Sequence, residues 1–245
     1  MAGRVRINGS TQNRAGYKVP EGAAIEVHAD ERYVSRGGYK LEHALKEFVW
    51  SPAGLRCLDV GASTGGFTDC LLQHGAAAVV AVDVGYGHFA WSLRQDSRVT
   101  VVERCNFRNA DVGRLGAPFE FASIDVSFIS LGKLALQLHA ALEPGGNLIA
   151  LVKPQFEAGR AAVEKGGVVR DAATHERAIE DVALQLTNAG FVVEQLAYSP
   201  LKGPAGNIEF LLGARARSDI ASPDIAPSQR IDIAGVVRKA HEALG

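Results

Sequence analysis

The stretch RCLDVGASTGGFTDCLLQHG, residues 56–75, runs from an apolar segment through a glycine-rich turn into a helical pattern. RCLDVGA is predicted to form a buried strand, and GFTDCLLQHG a helix that Gly75 closes. Glycines between a strand and a helix allow a tight turn and a close approach of the backbone to a ligand. The stretch therefore predicts the start of an α/β domain with a ligand site, although a tight turn without a ligand would give the same pattern.

The chain after residue 75 continues this alternation of strand-like and helix-like segments. Further strands are predicted in AAVVAVDVG, VTVVER, FEFASIDVS, NLIALVK, FVVEQLAYS and NIEFLLGAR. Further helices are predicted in HFAWSLRQ, LGKLALQLHAAL (ending at Pro144–Gly146), HERAIEDVALQLTNAG and, after a linker at 218–229, AGVVRKAHEAL. Continuous apolar strands that alternate with helices indicate a mostly parallel sheet with helices on both faces.

The first thirty residues form a separate small region. VRINGS combines alternation with an Asn8-Gly9 hairpin turn, and AAIEVHA predicts a second strand. A region this short cannot bury its own core, so it belongs to a larger domain or packs on the rest of the chain. Residues 31–50 are predicted to be a linker and a first helix carrying Lys40, and residues 51–245 the main domain.

Composition places the protein among ordinary globular domains. The chain has 245 residues, 47% of them hydrophobic, and a net charge of -1. Its three cysteines have no metal-ligand spacing and are expected to be buried thiols, so no metal site is predicted. No signal peptide is recognisable, and no apolar run reaches the roughly 18 residues of a membrane span. These features predict a cytoplasmic protein without a membrane partner.

Charge is unevenly distributed at the start of the chain. Arg4, Arg6, Arg14 and Lys18 precede Glu21, which is the first acidic residue. Such a basic arm can contact nucleic acid, but a solvated surface is the more common explanation.

Candidate site residues lie where the predicted strands end, because ligands of open α/β sheets bind outside the carboxyl ends of the strands. The glycine-rich turn does not match G-x-G-x-x-G, which disfavours NAD, but fits the D-x-G-x-x-x-G pattern used for S-adenosylmethionine. Asp83, after the second strand, is a candidate for the ribose hydroxyls, with helix capping as the alternative. Asn106, after the third strand, could bond an adenine edge or form a turn.

Two lysines and two acids are expected to meet at the same edge. Asp125 and Lys153 end neighbouring strands, Glu209 begins the last strand, and Lys40 follows the Gly37-Gly38 pair. A single Lys or Glu at a strand end is usually only solvated, whereas four converging charges indicate a site. Three aromatic residues near these ends are candidates for stacking on a flipped base or for core positions: Tyr86, Phe128 and Phe156.

The motifs together resemble those of the TlyA-type, or hemolysin-A-like, rRNA 2′-O-methyltransferases, which are related to the FtsJ/RrmJ group. The resemblance runs from about Val5 to Phe210 and rests on YVSRGGYKL, LDVGASTGGFTDCLL, VAVDVGYGHFAWSLR, DVSFISL, LVKPQFE, KGGVVRD and GPAGNIEFLL. It implies a Rossmann-like methyltransferase fold with a mostly parallel seven-stranded sheet. It also implies that residues 1–30 are the second half of an S4-type RNA-binding domain whose helical first half is not recognisable, which puts RNA affinity in question.

The resemblance implies a set of functional residues. The catalytic tetrad maps onto Lys40, Asp125, Lys153 and Glu209. The S-adenosylmethionine site is expected to comprise Asp59, Gly61, Ser63, Gly65, Phe67, Asp83, Val84, Asn106 and Asp125. The implied partner is ribosomal RNA in ribosomal subunits, with cytidine as the target nucleotide.

Residue chemistry favours ribose over base as the methyl acceptor. A lysine at the end of the LIALVK strand offers only hydrogen-bond donors, which suit an oxygen that becomes negative and repel an amine that becomes positive. Lys153 is therefore expected to contact the hydroxyl, with Asp125 orienting it. Three other functions compete: a membrane-active hemolysin, a non-catalytic RNA-binding protein on the same fold, and an NAD-dependent enzyme.

Overall fold

The computed structural model describes residues 5–12, 16–27, 31–159, 162–164, 166–218 and 231–245. In these ranges the strands are β1 Val5–Ile7, β2 Ser10–Thr11, β3 Ile25–Val27, β4 Arg56–Val60, β5 Ala78–Val82, β6 Val99–Val102, β7 Phe119–Ile124, β8 Leu142–Val152, β9 Phe191–Tyr198 and β10 Phe210–Ala216. The helices are α1 Gly37–Phe48, α2 Gly66–Gln73, α3 Trp91–Arg94, α4 Ala135–Ala141, α5 Pro154–Glu157, α6 Ala172–Asn188 and α7 Ile233–Leu244. Two 3₁₀ turns cover Phe107–Asn109 and Leu131–Lys133.

The main sheet has seven strands in the order β6-β5-β4-β7-β8-β10-β9. The pairs from β6 to β8 are parallel, and β10 runs antiparallel to both β8 and β9. The predicted mostly parallel seven-stranded sheet is confirmed. The chain builds outward from β4 to β6 and then returns to the other side of β4 with β7, so strand order reverses between β4 and β7. Ligands of such sheets bind at this reversal.

Helices cover both faces of the sheet, as the alternating pattern predicts. Successive strand residues point to opposite faces, and Leu58 and Cys57 of β4 accordingly belong to two different buried clusters. The Leu58 cluster contains side chains of α4, α6 and α7, and the Cys57 cluster contains side chains of α1, α2 and α3. Each helix layer therefore buries one side of the same strands.

A separate three-stranded antiparallel sheet, in the order β2-β1-β3, forms from the N-terminal region. Asn8 and Gly9 connect β1 to β2 with φ of 50° and 76°, the left-handed pair that a two-residue hairpin turn requires. The predicted hairpin is confirmed. The end of the segment predicted as the next strand, and most of the linker predicted at 218–229, lie outside the described residues.

One predicted boundary is wrong. Pro144–Gly146 was expected to follow a helix, but the helix ends at Ala141 and β8 begins at Leu142. Leu142 already pairs with Phe119 of β7, and the register then shifts so that Phe121 pairs with Asn147. The proline and glycines occupy this irregularity, where extra residues loop out of the ladder and Pro needs no ladder hydrogen bond.

Burial in the central strand predicts a large effect of a core substitution. Leu58 is fully buried in β4, whereas Leu184 of α6 is 60% exposed. Leu58→Ala should lower the free energy of unfolding by about 2–5 kcal/mol, because it removes buried methyl groups and leaves a cavity. Leu184→Ala, the same chemical change at the surface, should stay within about 0.5 kcal/mol of wild type. Urea unfolding followed by circular dichroism measures both, and equal effects would contradict the assignment of the core.

Candidate active site

The turn after β4 brings the ends of β4 and β7 into contact. Gly61 has a φ of 82°, and a Cβ on it would lie 2.3 Å from the backbone oxygen of Asp125. Any side chain at this position would therefore force the two strand ends apart. Gly65 is the N-cap of α2 with a φ of 97°, and a Cβ there would lie 2.5 Å from Leu93. The glycines are thus needed both for the turn and for packing.

Asp83 holds the turn through its carboxylate. Its Oδ2 accepts a hydrogen bond from the backbone N–H of Ser63 at 2.7 Å, and its Oδ1 accepts one from that of Gly85 at 2.6 Å. Ser63 itself has a φ of 51°. Each carboxylate oxygen has two lone pairs, so Asp83 retains acceptor capacity toward a ligand.

Two neighbouring cavities open at the carboxyl edge of the sheet. The larger, of about 310 Å³, is lined by Gly61, Ser63, Asp83, Val84, Asn106 and Asp125, together with apolar side chains such as Phe107 and Ile129. The smaller, of about 220 Å³, is lined by Lys40, Asp125, Lys153 and Glu209, with Gly61, Ser63, Gly66 and Phe67 on its other side. Both cavities share Gly61, Ser63 and Asp125, so a ligand in one adjoins a ligand in the other.

Two lysine–carboxylate pairs line the smaller cavity. Lys40 Nζ lies 2.5 Å from Glu209 Oε2, and both side chains are almost fully buried. Lys153 Nζ lies 2.5 Å from Asp125 Oδ1 and donates a hydrogen bond to Ser127 Oγ at 3.1 Å. The structure therefore brings together all four residues that the sequence nominated.

Local structure explains how each lysine reaches the cavity. Gly38 packs against Tyr33 so closely that a Cβ would lie 2.2 Å from its ring, and this contact seats α1 with Lys40 facing inward. Lys153 follows the last residue of β8, and Pro154 then occupies the first turn of α5, where its missing N–H costs no hydrogen bond. The proline thus prevents the strand from continuing past Lys153, whose side chain lines the smaller cavity.

Three of the nominated ligand residues lie at different depths. Val84 is 70% exposed and lines the larger cavity, and Phe67 is buried in the wall of the smaller one. The side chain of Asn106 caps a 3₁₀ turn by accepting from the N–H of Arg108 at 3.2 Å. Asn106 therefore forms a turn, as the second of its two predicted roles requires. The residue also lines the larger cavity.

Asp59 lies one layer below the cavities, not in their walls. It is fully buried, and it accepts hydrogen bonds from Thr68 Oγ1 at 2.6 Å and Ser123 Oγ at 3.2 Å. Burial raises the pKa of the Asp59 carboxyl from 3.8 to about 7, against the opposing effect of these two hydrogen bonds. Its contacts are those of a residue that ties β4 to β7 and to α2 beneath the glycine turn.

The aromatic residues near the strand ends are not core residues. Phe128 is 90% exposed with a φ of 66°, and its ring lies 5.0 Å from that of the half-buried Phe156. Tyr86 is 63% exposed, and the guanidinium of Arg104 lies over its ring at 4.2 Å. The core alternative is therefore wrong for Phe128 and Tyr86.

Sequence reasoning missed Ser127, which is hydrogen-bonded to Lys153. Its position two residues after Asp125 in DVSFISL was a usable signal, because that segment leaves the strand toward the cavity. It also missed Asn207, whose contacts depend on a segment some forty residues earlier in the chain.

Fold and site together define the class of the protein. A Rossmann-like sheet with a glycine turn after β4, an acid after β5 and a cavity at the strand-order reversal is the arrangement of nucleotide-binding α/β proteins. The model of the FtsJ-like methyltransferase family matches residues 33–216. The chain belongs to the FtsJ-like methyltransferase family and is thus a methyltransferase by family. The matched range leaves out the three-stranded sheet.

Relatives match nearly the whole chain. It is 44% identical over 222 residues to the 16S/23S rRNA (cytidine-2′-O)-methyltransferase TlyA of Mycobacterium tuberculosis, a match that covers 90% of this chain and 83% of the relative. It is 42% identical to Hemolysin A of Brachyspira hyodysenteriae, over 86% of this chain and 88% of that protein.

Solved structures agree with the fold. A protein from Streptococcus thermophilus superposes with a TM-score of 0.81 at 44% identity, over 98% of this chain and 87% of that one. An S-adenosylmethionine-dependent methyltransferase from Mesorhizobium loti, only 18% identical, shares the fold with a TM-score of 0.52 over 71% of this chain and 96% of that one. None of the helices in the described ranges is both long and apolar enough to cross a membrane.

The environment of Asp59 predicts a pH dependence of stability. Its carboxyl has a higher pKa in the folded chain, about 7, than the 3.8 of an unperturbed group. Between these values the folded state holds a proton that the unfolded state has released, so stability falls as pH rises. Asp59→Asn removes this contribution, and its stability relative to wild type should rise with pH from 4 to 7, at most about 1.4 kcal/mol per pH unit. Urea unfolding at several pH values measures this stability difference. If the stabilities of the variant and of wild type changed in parallel with pH, the raised pKa of Asp59 would be contradicted.

Proposed function

We propose that this protein is an S-adenosylmethionine-dependent methyltransferase that modifies a ribose 2′-hydroxyl, that of a cytidine, in ribosomal RNA. The observation that carries the proposal is the pair of lysine–carboxylate contacts, Lys40–Glu209 and Lys153–Asp125, in one cavity beside the glycine turn. The name of the mycobacterial relative supports the substrate. Transfer of radiolabelled methyl groups to ribosomal subunits from a strain that lacks the enzyme tests it, and absence of labelled 2′-O-methylcytidine would refute it.

The larger cavity is the proposed cofactor site. Asp83 would accept hydrogen bonds from the ribose hydroxyls of the cofactor, while Val84 and Asn106 border the adenine. The glycine turn fits the same ligand, since Gly61 lines both cavities and presents only its backbone to them. When bound there, S-adenosylmethionine supplies a methyl group activated by the neighbouring sulfonium.

Lys153 is proposed to act on the acceptor oxygen. A ribose hydroxyl is almost wholly protonated at neutral pH and is a poor nucleophile. The ammonium of Lys153 donates a hydrogen bond to that oxygen and stabilises the partial negative charge that develops on it as its proton leaves. Asp125 and Ser127 hold the ammonium in place at 2.5 and 3.1 Å. The hydroxyl proton leaves toward the Asp125 carboxylate, which is partly exposed and can pass it to solvent.

Lys40 and Glu209 form the opposite wall of the reaction cavity. Their side chains are only 7% and 1% exposed, so the pair is desolvated and its geometry matters more than that of a surface ion pair. We propose that Lys40 contacts the ribose or the adjoining phosphate. Glu209 would keep the ammonium of Lys40 pointing into the cavity. Both lysines offer donors only, which supports an oxygen acceptor over a base nitrogen.

Exposed aromatic and basic groups lie near the carboxyl edge of the sheet, where Phe128 lines the larger cavity. Phe128 and Phe156 are proposed to stack on the flipped target base, and the edge at Tyr86 and Arg104 to contact neighbouring nucleotides. The three-stranded sheet is proposed to be part of an S4-type RNA-binding region that adds phosphate contacts through residues such as Arg6 and Lys18. A ribosomal substrate would place the reaction in the cytoplasm.

The proposed cofactor role of Asp83 can be tested by binding. Asp83→Ala should weaken the affinity for S-adenosylmethionine by about 1.5–3 kcal/mol, the scale of hydrogen bonds to a charged group. Asp181→Ala, at an exposed aspartate of α6, is the matched control and should leave affinity unchanged. Titration calorimetry on the folded variants makes the measurement. Unchanged affinity in Asp83→Ala would remove the ribose role.

The proposed role of Lys153 predicts a loss of rate without a loss of cofactor binding. Lys153→Ala should leave the Kd of S-adenosylmethionine nearly unchanged and lower single-turnover methylation by about 10² or more, the scale of losing one oxyanion donor. Lys153→Arg should rescue little, since a planar fork does not replace a compact ammonium.

Two comparisons sharpen this test. Lys239→Ala, at an exposed lysine of α7, should keep the full rate. The Lys153→Ala, Asp125→Ala double variant should be much less impaired than the product of the single effects, because the two residues act as a unit. A rate within about threefold of wild type for folded Lys153→Ala would exclude the residue from the chemistry.

A further inference from the structure

The segment 166–170, part of the KGGVVRD motif, packs beside the residues that lead through Glu209 into β10, and it lines neither cavity. Val168 and Val169 are 9% and 2% exposed. The neighbouring Glu164 closes the turn, because its N–H donates to Val168 O and its carbonyl accepts from Gly167 N, both at 3.0 Å. The segment is therefore a hydrogen-bonded turn with two buried valines, and none of its residues has a role in the chemistry proposed above.

The side chain of Asn207 both accepts a hydrogen bond from the backbone of this segment and donates one to it. It is 1% exposed, its Oδ1 accepts from the N–H of Val169 at 2.9 Å, and its Nδ2 donates to the carbonyl of Gly167 at 2.9 Å. Its own backbone carbonyl accepts from Gly203 N at 2.9 Å. One side chain and one carbonyl thus join three parts of the chain, and an asparagine is needed because the side chain must both donate and accept.

The same residues surround Glu209, two positions further along. The backbone carbonyl of Glu209 accepts from Ser199 N at 2.8 Å. A Cβ on Gly203 would lie 2.4 Å from Glu209 Oε1, so the turn that Asn207 holds presses directly against the carboxylate. Among the residues that the structure describes, this buried Oε1 has no hydrogen-bond partner. Packing therefore sets the position of the carboxylate, since Lys40 is bonded only to Oε2.

A buried histidine anchors the far side of the segment. His175 of α6 is fully buried, and its Nε2 donates to the carbonyl of Val169 at 3.1 Å. Its Nδ1 lies 2.9 Å from Nε2 of His241 on α7, and its ring packs against Phe210, the neighbour of Glu209. The segment is thus fixed from both sides, by Asn207 toward the site and by His175 toward the helices.

From this geometry we infer that Asn207 is a positioning residue for the reaction: it holds Glu209, and through it the Lys40 ammonium, in the orientation the acceptor needs. The inference rests on the proposed function. A buried ion pair stabilises a transition state only in one arrangement, and a misplacement of about 1 Å can lower a rate about a hundredfold. Asn207 is held by its hydrogen bonds to the 166–170 segment, and His175 fixes that segment from the other side.

The experiment separates rate from binding. Asn207→Ala should lower single-turnover methylation of ribosomal subunits about ten- to a hundredfold and leave the Kd values for S-adenosylmethionine and subunits within about twofold. Asn147→Ala is the matched control, because Asn147 lies in β8 near the opposite end of the strand from Lys153; it should keep the wild-type rate. Combining Asn207→Ala with Glu209→Gln should give the rate of Glu209→Gln alone if Asn207 acts through that carboxylate.

A second variant covers the case in which Asn207→Ala does not fold. Asn207→Asp keeps the acceptor for Val169 but turns a carboxylate oxygen toward Gly167 O. Protonation of that buried carboxyl restores a donor, so the rate relative to wild type should rise as pH falls from 8 to 6. A purely structural role would lower thermal stability without these rate effects. Full rates in folded variants, or additive losses with Glu209→Gln, would overturn the inference, whereas an inactive wild type would instead refute the proposed function.

Discussion

The contact between the ends of β4 and β7 is the constraint on which the site depends. The N–H of Asp125 donates to Val60 O at 2.9 Å, and Gly61 then passes so close to Asp125 O that only hydrogen fits between them. This approach joins the glycine turn to the residue that pairs with Lys153. Because strand order reverses at the same place, the crevice opens directly above the contact. The glycine turn and the Lys153–Asp125 pair are therefore neighbours because both depend on this one contact.

The two lysine–carboxylate pairs differ in how deeply they are buried. Lys153 and Asp125 are 12% and 24% exposed, so solvent can reach this pair. Lys40 and Glu209 are almost fully buried, and burial of two charges is costly unless their geometry is well supported. That support comes from elements outside the cavity: Tyr33 beneath α1 on one side and the turn at Gly203 on the other. The second pair is therefore the one whose surroundings matter most.

Several features could be predicted because they depend on local rules. The Asn8-Gly9 turn follows from the left-handed φ that both positions require, and Lys153 before Pro154 marks the end of a buried strand. Asp83 could be placed at the crevice because it follows the end of a predicted strand. The helix end at Pro144–Gly146 was wrong because breaker residues also fit an irregular strand start, and only the pairing of Leu142 with Phe119 decides between them.

The sequence by itself determined the alternation of strands and helices, the glycine turn and the identity of the four charged residues. The alternation and the turn are properties of a few adjacent residues, so composition and spacing suffice for them, whereas the four charged residues were identified through the resemblance of their motifs to a known family. Only the tertiary structure decided the rest. It paired Lys40 with Glu209 across 169 positions, placed Asp59 below the cavities and not in them, and exposed Phe128. It also set Asn207 against a turn forty residues away. Depth and long-range partners depend on how sheet and helices pack, and no local pattern records that packing.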